Sequence, residues 1–116
     1  MKDNKFKLTF GEYEKEAGKT ALYPGRNNLK GLNYAVLGLV GESGEIANKL
    51  KKILRGDYAI SDIQHSLIAE LGDVLWYVAA IAYELDVNLE DVAFKNLDKL
   101  AKRYENNTIQ GEGDNR

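Results

Sequence analysis

The chain has 116 residues, 44% of them hydrophobic, with 16 basic and 18 acidic side chains and a net charge of −2. That length can bury roughly two-thirds of its unfolded surface in one compact domain, and the balanced charge offers no broad basic face for nucleic acid or an anionic membrane. Without cysteine there are no disulfides or thiolate metal sites, and the single histidine, His65, excludes a multi-histidine zinc site.

Met1 to Leu8 is charged and lacks the apolar stretch of a secretory leader, so the cytoplasm is the expected compartment. A short first helix is expected over about 9–20. It ends at the turn cluster Tyr23-Pro24-Gly25-Arg26-Asn27-Asn28, which holds the only proline. A long second helix should run from about Leu29 to Arg55 and stop at Gly56-Asp57. Ser61-Asp62-Ile63-Gln64 reads as a capping box opening a third helix that lasts to about Leu85. Its longest uncharged run, Val74 to Tyr83, is ten residues, short of the ~20 that span a bilayer. Asp86-Val87-Asn88 breaks the chain, Asn88 caps a fourth helix to about Tyr104, and Asn106 to Arg116 is a polar, irregular tail. One all-α domain over 1–105, with tail 106–116, follows.

Helical periodicity sorts each helix into faces. On the second, Leu32, Ala35, Val36, Leu39, Ile46, Leu50, Ile53 and Leu54 form an apolar stripe, flanked by a column of Tyr34, Gly38, Glu42, Glu45 and Lys49. On the third, Ile63, Leu67, Leu71, Val74, Val78, Ala82 and Leu85 point inward, with Ser66, Glu70, Asp73 and Tyr77 down one flank. The two columns can face each other across a groove. The fourth helix puts Leu89, Ala93, Leu97, Leu100, Ala101 and Tyr104 inward and stacks Asn96, Lys99 and Arg103 on one side, a polar column expected to join the acidic ones. A second apolar face on the third helix, Ala69, Trp76, Ala80 and Tyr83, reads as a subunit interface.

The acidic pairs Glu42-Ser43-Gly44-Glu45 and Glu70-Leu71-Gly72-Asp73 carry the chemistry. A helix turns about 100° per residue, so acids three apart project about 60° from each other and can grip one cation or bridge two. Glu45 has Lys49 four residues on, whereas Glu70 and Asp73 are followed at that spacing by Val74 and Tyr77. A hard divalent cation with oxygen ligands, Mg²⁺ first and Mn²⁺ as substitute, suits such a set. Gly38, Gly41, Gly44 and Gly72 sit inside helices beside these acids, where each costs ~0.8–1.0 kcal/mol relative to alanine, so a neighbouring helix or a ligand comes close to the backbone. A di-iron centre needs Glu-x-x-His pairs that the chain lacks, and no GxxxxGK[ST] phosphate loop is present. Tyr34, Tyr13 and Phe10 are the aromatics that could stack on a base.

The stretches Leu37-Gly38-Leu39-Val40-Gly41-Glu42-Ser43-Gly44-Glu45-Ile46, Ala69-Glu70-Leu71-Gly72-Asp73-Val74-Leu75-Trp76-Tyr77, Asn96-Leu97-Asp98-Lys99-Leu100 and Lys102-Arg103-Tyr104 resemble the MazG-like all-α nucleoside triphosphate pyrophosphohydrolases. The resemblance covers about residues 29 to 105. It implies a four- to five-helix antiparallel bundle assembled as a homodimer or homotetramer, and hydrolysis of a nucleoside triphosphate to monophosphate and pyrophosphate in nucleotide-pool house-cleaning. By position, it implies Glu42, Glu45, Glu70 and Asp73 as Mg²⁺ ligands, Glu45 and Glu70 being the catalytic candidates, and Tyr77, Asn96 and Lys99 as phosphate or sugar contacts. The column reading adds Lys49 and Arg103 on the substrate side. The alternative is a non-catalytic helical nucleotide-binding or dimerisation module. No nucleic-acid or membrane partner is expected in either case.

Overall fold

The computed structural model describes residues 7–116; residues 1–6, part of the expected 1–105 domain and of the charged N-terminal stretch, lie outside it. Four helices form: α1 (Phe10–Gly18), α2 (Leu29–Leu54), α3 (Ile60–Glu84) and α4 (Leu89–Glu105), with no strand and no fifth helix among the described residues. Local chemistry accounts for their ends. Thr9 caps α1 reciprocally: its Oγ1 accepts from the Glu12 N–H at 3.0 Å while Glu12 Oε1 accepts from the Thr9 N–H at 2.9 Å. Asn28 Oδ1 accepts from the Lys30 N–H at 2.9 Å and starts α2. Gly56, at φ +90°, stops it.

Two starts differ from expectation. The cap of α3 is Ala59 rather than Ser61, and the bond there is the returning half of a box, the Ala59 N–H donating to Asp62 Oδ2 at 2.9 Å. The acceptor at the third helical position decided that boundary. Asn88 precedes α4 as expected but makes no side-chain cap; the Leu89 N–H donates instead to Glu14 Oε2, from α1, at 3.0 Å. That bond ties the first helix to the last.

α2 and α3 pair along their length as an antiparallel hairpin. α1 touches α3 and α4, and α4 reaches α1 and α3 but not α2. The result is an open, all-helical arrangement of four helices. Its radius of gyration is 17.1 Å, where a compact chain of this length has about 13 Å. It exposes 8881 Å², against roughly 6,300 Å² for a compact monomer of this mass. Much of the expected inward stripe on α4 is bare, with Leu97 62% and Tyr104 77% exposed, and so is Leu71 on α3 at 60%.

The core of the single chain lies where an interface was expected. Ala21, Tyr23, Ala35 and Ala80 are buried together, with Trp76, Tyr77 and Ile81 packed against them. Residues 19–28 fold back over α3 and cover the Trp76 face, the Trp76 Nε1–H donating to Thr20 Oγ1 at 2.9 Å. Tyr83, also assigned to that face, carries the Arg26 guanidinium 4.1 Å above its ring. At the end of α3, Glu84 accepts from the Tyr23 hydroxyl at 2.5 Å and from the Asn27 N–H at 3.0 Å. A loop that returns from far along the chain leaves no local periodic signal, so only the apolar face that it covers was visible.

By length and composition α3 could cross a bilayer, contrary to the expectation from its uncharged runs. Here it is the central helix, paired with α2 and carrying Glu70 and Asp73 at mid-length, where charge inside a bilayer is costly.

Candidate metal and nucleotide site

The flanking columns of α2 and α3 do face each other. Lys49 Nζ lies 3.9 Å from Glu70 Oε1, Glu42 meets Glu70 and Asp73, and Gly38 meets Tyr77. Gly38 is the seat for that ring. A Cβ there would stand 2.1 Å from Tyr77 Cε1 and 2.4 Å from Cζ, so only glycine lets the tyrosine lie against the α2 backbone. Gly41, Gly44 and Gly72 have open space where a Cβ would go, so none of the described residues packs against them there.

Glu42, Glu70 and Asp73 each offer a carboxylate oxygen within 4.8 Å of the others. The consequence is mutual repulsion. The Glu42 carboxyl is held above the ordinary carboxylate range, first by its hydrogen-bonding contact with Glu70, then by burial and the charges of Glu70, Asp73 and Glu45. Glu70 Oε2 is buried with no hydrogen-bond partner. An orphaned carboxylate oxygen is costly, and a cation removes the cost. The donor set is all oxygen, so it fits a hard divalent ion. Glu45 lies outside the trio and is exposed, although its charge reaches Glu42. Lys49 serves the Glu70 side of the groove rather than forming the expected pair with Glu45.

Beside the trio opens a cleft of about 640 Å³ lined by Thr20, Leu22, Tyr23, Pro24, Tyr34, Glu42, Asp73, Trp76 and Tyr77. Four of these nine residues are aromatic. Tyr23 and Tyr34 stack at 5.2 Å between centroids, and Trp76 stands edge-on to Tyr77 at 5.0 Å. The Tyr77 phenol is pushed above its ordinary range by burial, then by Tyr34, Glu42 and Asp73, so it stays protonated as a donor beside the acids. Of the three base-stacking candidates, Tyr34 lines this cleft, whereas Phe10 and Tyr13 line another with Leu75 and Glu90. Tyr23, Thr20 and Trp76 are additions that sequence reasoning missed as site residues. Tyr23 stood in the turn cluster, and its place beside Pro24-Gly25 was the one available signal.

Asn96, Lys99 and Arg103 do not join the acids within one chain. Asn96 and Lys99 line a cleft with Val87, Asp91, Val92, Lys95 and Asp114, and Arg103 lines another with Lys102 and the tail. α4 makes no contact with α2, the helix that carries Glu42 and Glu45. Amphipathic spacing gave the face of each helix but not the angle at which α4 leaves α3.

Residues 32–108 match the MazG nucleotide pyrophosphohydrolase domain family, a span that contains Glu42, Glu45, Lys49, Glu70, Asp73, Tyr77, Asn96, Lys99 and Arg103 but not the Thr20 and Tyr23 wall of the cleft. The chain is also 50% identical over 109 residues to the "Gene 37 protein" of Mycobacterium phage L5, covering 90% of this chain and 96% of that protein. No solved structure matches it. With its helices, its acid trio and this match in agreement, the chain belongs to the MazG nucleotide pyrophosphohydrolase family.

Proposed function

We propose that the protein is a Mg²⁺-dependent nucleoside triphosphate pyrophosphohydrolase of the cytoplasmic nucleotide pool, adding water across the α–β anhydride to give the monophosphate and pyrophosphate. The observation that carries this reading is the convergence of Glu42, Glu70 and Asp73, with a buried unpartnered oxygen on Glu70, at the mouth of an aromatic cleft. The trio would hold Mg²⁺, with Mn²⁺ as a substitute. Bound there, the ion supplies charge neutralisation for the phosphates and acidifies a water.

The remaining chemistry belongs to side chains. Tyr34, Tyr23 and Trp76 offer faces for a nucleobase, and their walls exclude water from one side of it. Tyr77, neutral and fixed on Gly38, presents its hydroxyl toward the sugar or phosphates. Glu45, outside the trio and open to solvent, is free to accept a proton from the attacking water. Lys49 steadies Glu70. A second copy of the chain supplies Asn96, Lys99 and Arg103 to the phosphates. The bare stripe of α4 and the open backbone at Gly41, Gly44 and Gly72 support such an assembly, a homodimer or homotetramer.

Incubation of the purified protein with Mg²⁺ and a panel of canonical, deoxy and oxidised or deaminated nucleoside triphosphates, resolved by ion-exchange chromatography, tests this. Monophosphate and pyrophosphate in equal amounts, absent without Mg²⁺, are expected. Intact triphosphate throughout, with Mg²⁺-dependent nucleotide binding retained, would instead identify a non-catalytic binding module.

A further inference from the structure

Arg103 is the one buried charged residue among those described, at 8% exposure. Its Nη2 donates to the Asp114 backbone carbonyl at 2.9 Å and to Asp114 Oδ1 at 3.0 Å, and Lys99 Nζ reaches the same Oδ1 at 2.6 Å. Arg103 Nε is buried with no partner. One carboxylate oxygen therefore saturates one corner of the guanidinium and leaves a second donor unmet. A phosphate, with more oxygens in a matching fork, would meet both.

The tail is shaped to deliver that carboxylate. The Thr108 N–H donates to the Arg103 carbonyl at 2.8 Å, and Arg116 closes the segment on itself, donating to the carbonyls of Thr108 at 3.0 Å, Ile109 at 3.1 Å and Gly113 at 2.5 Å. Asp114 is exposed, and its carboxyl is held below the usual range by the hydrogen bond and charge of Lys99, then by Arg103, so it remains ionised. Such an exposed partner is weak and screened by salt.

We propose that residues 106–116 are a built-in competitor for the anion site of α4. The Asp114 carboxylate occupies Lys99 and Arg103, and a polyphosphate has to displace it before those side chains can be used. This rests on the reading above that Lys99 and Arg103 meet substrate phosphates. A tail seated for about nine-tenths of the time raises the apparent Kd about tenfold.

The test is calorimetric binding of inorganic tripolyphosphate to the 116-residue chain in EDTA, which silences the carboxylate trio, for the wild type, Asp114→Asn and Asp98→Asn. Asp98 is the control because it carries the same charge on the same helix but pairs with Lys102, at 3.1 Å, rather than with Lys99 or Arg103. Asp114→Asn should tighten binding about three- to tenfold at low salt, less at high salt, with KM for a hydrolysed triphosphate falling in parallel and kcat unchanged. Equal tightening by Asp98→Asn, no tightening by Asp114→Asn, or no tripolyphosphate binding by any of the three would overturn the proposal. If no triphosphate is hydrolysed at all, the enzymatic reading fails while the tripolyphosphate measurement still decides the role of the tail.

Discussion

The groove between α2 and α3 and the outer face of α4 are both charged, partly buried sites, yet they reach opposite states. Around Glu42, Glu70 and Asp73 like charges converge, one lysine stands off at 3.9 Å, and an oxygen is left without a partner. Around Lys99 and Arg103 the chain provides its own counter-charge in Asp114, at 2.6 and 3.0 Å. The first site is left open to a cation from outside; the second is already occupied from inside. Charge alone thus separates a site built to receive from one that must first be vacated.

The sharpest way to break this contrast is to remove a carboxylate from the trio. Glu70→Gln or Asp73→Asn should lower turnover by at least about a hundredfold, while circular dichroism shows the same helical content. In the metal-free protein neither change should lower the melting temperature, because each relieves repulsion. Turnover within tenfold of the wild type would detach the trio from catalysis.

A smaller effect is expected from the seat of Tyr77. Gly38→Ala puts a methyl where the ring lies, so the tyrosine must leave. The overpacking costs about 1–3 kcal/mol of stability. Substrate KM should rise more than kcat falls, because positioning is lost while the carboxylates stay. A crystal structure with Tyr77 unmoved would contradict the close-approach account.

The smallest effect concerns protons. Glu42 holds its proton to higher pH than an ordinary carboxyl, and a metal competes with that proton. Mg²⁺ should therefore bind more weakly as pH falls through the region just above the usual carboxylate range. Saturating Mg²⁺ should raise the melting temperature by several degrees at neutral pH and by less near pH 5. An Mg²⁺ shift of equal size at both pH values would show that Glu42 does not take part.

Much of the acidic groove was legible because it is written at short range. The i, i+3 spacing put Glu70 and Asp73 on one flank, and matching columns on two helices joined by a short turn had to meet. The flank also held Tyr77 and Gly38 at the right heights. What escaped was set by the angles between helices and by returning chain. Trp76 and Ala80 looked surplus because their cover, Ala21 and Tyr23, arrives from a turn that periodicity does not describe. The burial of Arg103 and its pairing with Asp114 left no periodic signal, because the partner comes from the tail. The fourth acid of the pattern, Glu45, shows the limit of spacing even within one helix: it shares the flank of Glu42 but lies outside the converging trio.

The bonds that close the cleft wall also order its assembly. Trp76 to Thr20 and Tyr23 to Glu84 join residues 56 and 61 positions apart, whereas the acid trio lies within a single helical hairpin, 31 residues from Glu42 to Asp73. Contacts distant in sequence carry the larger loop-closure cost and form later. During folding the acidic hairpin should therefore form before the aromatic wall closes beside it, and the two should recover at different times after dilution from denaturant.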